Sequence, residues 1–193
     1  MDIKVESIIN IFTIIDGKIK LLVNNNQLLK IECLDELDIV NNNYINNNMK
    51  INNLSLEQCY TFSKKKEDKL VFSVLYVDIV NIDDIKLIEG LDFIELDKID
   101  RNDIYIEKSL EYLKKKITLN STMKKLYPGE FILPEMQRIY EQLFEIKIDR
   151  RNFRKKLIKL DVIEVLDKLS SGKNGRPAKL YKFKDIKENK ILF

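Results

Sequence analysis

The sequence of 193 residues contains no histidine and no tryptophan, and only two cysteines, three prolines and five glycines. Without histidine, the chain lacks the base of Ser-His and Cys-His nucleophilic sites and the imidazole ligand of many zinc sites. Cys33 and Cys59 are 26 residues apart with no C-x-x-C spacing, which fits neither a disulfide framework nor a zinc knuckle. We therefore expect two ordinary buried thiols, and any catalysis would depend on carboxylates, lysine or tyrosine.

Long hydrophobic runs are also missing. No run approaches the ~18 apolar residues of a membrane span, and the opening MDIKVESIIN carries acidic residues where a signal peptide would be basic. With 45% hydrophobic and 34% charged residues, the composition is typical of a globular protein with one large or two small domains. We expect a cytoplasmic protein without a membrane partner.

The net charge of +3 is unevenly distributed along the chain. Residues 1–103 contain 12 Lys and Arg against 19 Asp and Glu, whereas residues 104–193 contain 22 against 12. A basic part that follows an acidic part indicates two modules, the basic one a candidate for binding a polyanion. A lysine-rich solvated surface is the alternative explanation.

The acidic part reads as a mixture of strands and helices. Asp16-Gly17 separates two β-rich runs and predicts a tight hairpin. Three- and four-residue spacing of apolar residues predicts helices over 35–49 and 106–118, and a Val, Tyr and Phe-rich run predicts a strand over 69–82. We expect a solvent-exposed turn at Lys64–Lys66 and a strand with a connector within 84–103. The domain boundary is placed near Asn120, giving domains of residues 1–120 and 121–193.

Two short helices and a hairpin are predicted in the basic part. Pro134 suits the first turn of a helix, and the apolar face that follows contains Met136, Ile139, Tyr140 and Leu143. Asp149 is a good N-cap for a second helix, whose predicted buried stripe is Phe153, Leu157 and Leu160. Strands are predicted at 162–165 and 178–183. A helix-turn-helix followed by a hairpin with a basic tip is a winged helix.

The opposite face of the second helix predicts the nucleic-acid contacts. Arginine can bond guanine O6 and N7 together, and asparagine can do the same for adenine. The candidate DNA-binding residues are Arg150, Arg151, Asn152, Arg154 and Lys155 on the helix, with Lys173, Arg176 and Lys179 in the wing. A basic helix alone is more often a solvated surface, but the turn and the Gly-Lys-Asn-Gly-Arg tip favour nucleic acid.

The runs LPEMQRIYEQLFEIKIDRRNFRKKLIKLDVIE and GRPAKLYKF resemble the C-terminal winged helix of the Nudix-related transcriptional regulators, over about Leu126–Phe183. The resemblance implies an α+β fold, with a Nudix-like α/β/α sandwich followed by a winged helix-turn-helix domain. It also implies that the five residues of the helix face DNA and that Arg176 lies in the wing. In this family the Nudix-like domain binds ADP-ribose or another nucleotide-sugar effector.

The Nudix box that this resemblance leads us to expect is degenerate. Active members carry G-x5-E-x7-R-E-U-x-E-E-x-G-U, whose glutamates hold divalent metal ions against a pyrophosphate. Aligned on Ile51, this sequence keeps an acid only at Asp35. The other signature positions hold Leu29, Asn43, Tyr44, Asn47, Asn48 and Lys50. Neutral amides do not supply the charge that holds a Mg²⁺ cluster, so we expect a domain without hydrolytic activity, catalytic residues, metal or cofactor.

The predicted function is a bacterial DNA-binding transcriptional regulator, a repressor that binds a double-stranded operator as a homodimer and responds to a nucleotide-sugar effector. Two other classes stay open. Glu32, Asp35, Glu36 and Asp38 would form the displaced carboxylate site of an ADP-ribose pyrophosphatase, although a solvated helix start explains them better. The basic face could instead bind RNA or a protein. Tyr60 and Phe62 are predicted core residues.

Overall fold

The computed structural model of the chain describes residues 2–33, 36–86, 89–170 and 177–193. These residues form two compact units: the first is Met1–Ile14 with Lys20–Leu113, and the second is Ile15–Ile19 with Lys114–Phe193. The division between the units falls inside a helix, a few residues before the position at which the sequence analysis placed it.

The strands are β1 (Asp2–Ile15), β2 (Lys18–Asn24), β3 (Leu29–Cys33), β4 (Lys50–Ile51), β5 (Glu57–Lys66), β6 (Lys69–Ile79), β7 (Ile85–Lys86), β8 (Leu91–Glu95), β9 (Phe131–Ile132), β10 (Ile163–Leu169) and β11 (Lys179–Phe183). The helices are α1 (Leu37–Asn48), α2 (Ile104–Ile117), α3 (Asn120–Leu126), α4 (Leu133–Phe144) and α5 (Arg150–Lys159), and short 3-10 turns occupy Ile82–Asp84 and Leu96–Lys98.

The main sheet has the strand order β5-β6-β1-β2-β8, and β3 pairs with β1 outside this path. Strand β1 is central because it runs parallel to β6 from Asp2 to Phe12 and antiparallel to β3. The predicted hairpin is confirmed: Asp16 and Gly17 have φ angles of 52° and 69° between β1 and β2, and positive φ at both positions suits a two-residue hairpin turn.

Both faces of the central strand are buried in the first unit. On one face, Ile9 and Ile11 belong to a core that includes Ile45 and Met49, the residues that anchor α1. On the other, the Asn10 Nδ2 donates to the Ser109 hydroxyl of α2 at 2.8 Å. The predicted helices near 35–49 and 106–118 and the predicted strand near 69–82 are thereby confirmed, with ends that differ by a few residues.

Three details of the first unit were wrong in the sequence analysis. Lys64–Lys66 lie in β5, and the chain turns one step later at Glu67, where φ is 50°. Tyr60 was predicted to be a core residue but is 46% exposed, because β5 is a terminal strand of the sheet. Its ring lies 4.6 Å, between centroids, from the ring of the half-buried Phe62. Cys33 and Cys59 are free, as predicted, but only half-buried.

The second unit consists of helices against a three-stranded sheet of order β10-β11-β9. Its core contains the predicted apolar face of α4: Met136, Ile139, Tyr140 and Leu143 are fully buried. Strands β10 and β11 pair antiparallel, and β11 also pairs with β9. This order of helices and strands is that of a winged helix. In the described part of the chain, no helix is both long and apolar enough to cross a membrane.

Candidate nucleic-acid interface

Helix α4 starts as the sequence predicts and forms the first helix of the helix-turn-helix. Pro134 occupies its first turn, where the missing N–H costs no helical hydrogen bond. The fully buried Tyr140 donates its hydroxyl to the Ile117 carbonyl at 2.9 Å, and its ring meets Phe153 of α5 edge-on at 5.6 Å. Burial raises the pKa of this phenol far above its usual value. Tyr140 therefore fixes α4 against both α2 and α5.

The turn between α4 and α5 is held by two side chains of α4. Glu141 Oε1 accepts from the Ile148 N–H and from Gln137 Nε2, both at 2.9 Å, and Gln137 also donates to the Ile148 carbonyl at 3.0 Å. The bond from Gln137 and then the bond from the Ile148 backbone hold the pKa of Glu141 below its usual value. Glu145 ends α4 with a left-handed φ of 57°. The angle at which α5 leaves the turn is thus fixed by hydrogen bonds.

Asp149 caps α5, as predicted. Its Oδ1 accepts from the Asn152 N–H at 2.8 Å, which satisfies one of the free amides at the helix start. Phe153 and Leu157 are buried, 3% and 0% exposed, and Leu160 is half-buried. The buried stripe predicted for α5 is therefore confirmed at Phe153 and Leu157, and it fixes which face of the helix is turned to solvent.

The opposite face of α5 carries the positive charge. With 100° of rotation per residue, positions 150, 151, 154 and 155 lie within an arc of about 140°. The exposed polar residues of the predicted site on this helix are Arg150, Arg151, Asn152, Arg154 and Lys155. Lys156 differs because its ammonium group lies over the Phe193 ring, 5.4 Å from the centroid. Four of these five residues share this arc, and Asn152, which is also exposed, lies about 60° beyond it.

Arg154 is held by the neighbouring sheet. Its Nε donates to the Tyr181 hydroxyl at 2.9 Å, and Tyr181 is a buried residue of β11. Among the described residues, the Arg150 and Arg151 side chains make no hydrogen bond or ion pair. Of the three arginines of α5, Arg154 is thus the one whose guanidinium group is held by a hydrogen bond among the described residues.

Strands β10 and β11 are the two sides of the wing. Lys179 is exposed at the start of β11, opposite Leu169 of β10. Lys173 and Arg176, the other predicted wing contacts, lie outside the described residues. On β10, the exposed Lys168 pairs with Glu130 at 2.8 Å. Of the predicted wing residues, Lys179 is the one whose position the structure gives.

The described positions of the Nudix box lie in β3, α1 and β4. Asn43 and Asn47 are exposed, Tyr44 packs against the core of the first unit, Lys50 is exposed on β4 and Leu29 is buried on β3. Glu32, one of the acids considered for a displaced metal site, pairs with Lys4 at 3.1 Å. Asp35 and the side chains of Asp38 and Asn48 lie outside the described residues. Within the part that is described, no three His, Cys, Asp or Glu side chains form a group that could hold a metal ion.

Residues 123–183 match the family model of the NrtR DNA-binding winged helix domain. This part of the chain is therefore similar to the winged helix of NrtR. The match includes α4, α5 and the wing strands, which are the elements that the sequence analysis assigned to DNA binding. The predicted resemblance to the Nudix-related transcriptional regulators is thereby confirmed.

One curated relative and several solved structures match a longer part of the chain. The chain is 28% identical over 141 residues to the ADPR-responsive transcriptional repressor NtrR of Acinetobacter baylyi, a match of 66% of this chain and 56% of that protein. Shewanella oneidensis NrtR, solved with a 27mer DNA, superposes with a TM-score of 0.69 at 19% identity, covering 93% of each chain. A MutT/nudix family protein from Enterococcus faecalis gives 0.64 at 13% identity, covering 95% of this chain and 87% of that one.

These similarities confirm the predicted fold class, an α+β chain in which a Nudix-like domain precedes a winged helix. Three residues that hold the turn or Arg154 were not among the predicted site residues: Gln137, Glu141 and Tyr181. Gln137 and Glu141 lie one helical turn apart, which could have indicated a side-chain pair. Tyr181 and Phe183 lie two residues apart in AKLYKF with Lys182 between them, which indicates a pair of inward-facing aromatic residues.

Proposed function

We propose that this protein is a DNA-binding transcriptional regulator that represses transcription by occupying an operator. The observation that carries the proposal is the exposed face of α5, where three arginines, an asparagine and a lysine lie together on the second helix of an NrtR-type winged helix. DNA as the partner also agrees with the cytoplasmic location that we expect from the sequence.

In the proposed complex, α5 lies in the major groove. Arg150, Arg151 and Arg154 are suited to guanine because a guanidinium group can bond O6 and N7 together, and Asn152 is suited to adenine. Lys155 and the wing residues Lys173, Arg176 and Lys179 contact phosphates, which position the protein without reading sequence. The Asp149 cap and the bonds from Gln137 and Glu141 to Ile148 fix the orientation of α5.

The test is selection of the preferred duplex from a randomised pool, followed by binding measurements with single-residue variants. Arg151→Ala or Arg154→Ala should each cost ~1–3 kcal/mol on the preferred duplex and relax the preference at one base pair. Lys155→Ala should weaken binding to all duplexes alike and reduce the slope of log K against log salt by about 0.9.

Lys187→Ala is the matched control because Lys187 is exposed outside α5 and the wing, so it removes the same charge without changing the proposed interface. Operator recognition by α5 is excluded if the wild-type protein prefers no duplex. It is also excluded if the arginine variants bind DNA as tightly as the Lys187 variant. Tighter binding to an RNA of the same sequence would assign the basic face to RNA.

We further propose that the Nudix-like domain is a non-catalytic sensor for a nucleotide sugar such as ADP-ribose. Two observations support this: exposed neutral amides at Asn43 and Asn47 where an active box has charged residues, and the similarity to a repressor named as ADPR-responsive. ADP-ribose added to the preformed complex should change the affinity for DNA. Incubation of ADP-ribose with the protein and Mg²⁺ should release no phosphate-containing product, whereas turnover would restore the hydrolase alternative.

A homodimer is part of the proposal because one winged helix offers few phosphate contacts, so tight binding requires two half-sites. Two copies should then bind one duplex, and the preferred sequence should be palindromic. Light scattering of the free protein and of the complex measures both stoichiometries. One protein per duplex on a sequence without symmetry would contradict the dimer and leave the assignment of α5 intact.

A further inference from the structure

The Tyr181 hydroxyl holds Arg154 in a fixed orientation on the otherwise exposed face of α5. The bond from Arg154 Nε to Tyr181 Oη is 2.9 Å long. Tyr181 itself has little freedom because it is only 4% exposed and its strand β11 is paired on both sides, with Val165 of β10 and Phe131 of β9 as its partners. The aromatic ring of Phe131 lies 6.4 Å away. The acceptor is therefore an immobile part of the core.

The bond uses one particular donor of the guanidinium group. An arginine has five N–H donors, one on Nε and four on the two terminal nitrogens. The fork that bonds guanine O6 and N7 can be formed by the terminal pair, so a bond at Nε leaves this fork complete. Held at Nε, the planar group keeps one orientation, whereas an exposed arginine without such a bond must lose side-chain freedom when it binds.

We propose that Tyr181 is a positioning residue for base recognition, which orients the Arg154 fork before DNA is bound. This inference rests on the proposed DNA-binding function and adds to it a residue that touches no DNA. It also predicts unequal roles for the arginines of α5. Arg154, which is anchored to the sheet, discriminates between bases more sharply than Arg151, which makes no such bond among the described residues.

The variant that tests the proposal is Tyr181→Phe, which removes the hydroxyl and keeps the ring. Tyr127→Phe is the matched control, since the Tyr127 hydroxyl is also buried, belongs to the same aromatic cluster through Phe131 and has no hydrogen-bond partner among the described residues. Binding of both variants is measured on the preferred duplex and on duplexes with one base pair changed. The wild type, Arg154→Ala and the double variant Tyr181→Phe with Arg154→Ala complete the set.

Tyr181→Phe should reduce the discrimination at the base pair that Arg154 reads by about 3- to 10-fold, as expected from the cost of ordering one long side chain. Discrimination at other base pairs, binding to random DNA and the salt slope should stay at wild-type values. In the Arg154→Ala background the same change should have no further effect. In NMR spectra of the free protein, the Arg154 Nε–H signal should be protected from exchange in the wild type and in Tyr127→Phe, and lose its protection in Tyr181→Phe.

The outcomes separate this inference from the function on which it rests. If Arg154→Ala relaxes one base pair but Tyr181→Phe does not, the positioning role is wrong and the DNA-binding function stands. If Tyr181→Phe weakens binding equally with and without Arg154, the hydroxyl acts through the fold, and the proposal is also overturned. If the wild type prefers no duplex, both the proposed DNA-binding function and the positioning role of Tyr181 are wrong.

Discussion

Helices α1 and α5 are both short, and at least half of the residues in each are polar residues of one type. They differ in their capping and in what stabilises them. Six of the twelve residues of α1 are asparagine, and six of the ten residues of α5 are arginine or lysine. Asp149 caps α5 through its side chain, whereas Glu36 at the start of α1 makes no side-chain capping bond. Asparagine is a weak helix former, so α1 depends on the burial of Ile45 and Met49.

The two helices also differ in their exposed faces. In α5 one face packs against the core, the opposite face carries exposed positive charge, and the Asp149 cap fixes the first turn. In α1 the inner face still packs against the sheet, but the outer face is neutral at Asn43 and Asn47. Burial of Ile45 and Met49 maintains a helix here although its exposed face carries neutral amides.

The largest effect is expected where α5 is joined to the core. Phe153→Ala should lower the free energy of unfolding by ~3–5 kcal/mol, because the ring is buried and meets Tyr140 edge-on at 5.6 Å. Urea unfolding followed by circular dichroism measures this. Ile158→Ala on the same helix, at a side chain that is 42% exposed, should change stability by less than about 0.5 kcal/mol. Similar losses for both variants would contradict the assigned faces of α5.

A smaller loss is expected at the α5 cap. Asp149→Ala should cost about 1 kcal/mol because the Asn152 N–H loses its acceptor. Asp149→Asn should retain most of the stability, since asparagine caps equally well. Thermal unfolding of the two variants measures the cap directly. If the Asn variant is as unstable as the Ala variant, the carboxylate acts through charge rather than as a hydrogen-bond acceptor.

In α1, removing a polar group should stabilise the protein. Asn41 is 2% exposed, and neither its Oδ1 nor its Nδ2 has a hydrogen-bond partner among the described residues. Asn41→Ala should raise the free energy of unfolding by about 0.5–1 kcal/mol, from helix propensity and from removal of the buried amide. Asn42→Ala, at an exposed position, provides the propensity contribution alone. An equal gain at both positions would show that the buried amide of Asn41 is satisfied.

The smallest effect concerns pH. The pKa of Glu141 is below its usual value of 4.5 because of Gln137 and the Ile148 amide. The ionised carboxylate therefore stabilises the fold above about pH 4.5, and this contribution is lost as the pH falls through the lowered pKa. Glu141→Gln should flatten the dependence of urea stability on pH below 4.5. An unchanged pH profile in Glu141→Gln would mean that the turn does not depend on this charge.

Much of the fold could be predicted from short sequence motifs. Asp16-Gly17, Pro134 and Asp149 each require a particular backbone conformation, and each predicted feature is found there. The errors concern relations across the sheet. Lys64–Lys66 are polar enough for a turn, but pairing with β6 makes them a strand, and Tyr60 is exposed because β5 has no strand on its outer side in the described sheet.

The candidate site shows the same division. The exposed face of α5 follows from the 3.6-residue period, because burial of Phe153 and Leu157 leaves the arginines outside. The bond between Arg154 and Tyr181 joins residues 27 positions apart, and the bonds to Ile148 depend on how the turn folds back on α4. Such contacts require the tertiary structure, so sequence predicts which residues face outward but not how each is held.

The half-buried Cys59 has a consequence for how the protein responds to oxidants. Burial raises the pKa of its thiol to about 11, so at pH 7 only about one molecule in ten thousand carries the thiolate at this position. The thiolate is the form that attacks peroxides and alkylating reagents. Cys59 is therefore unreactive although it lies on an outer strand. A cysteine introduced at the exposed Asp68 should react with a thiol-directed dye far faster than Cys59.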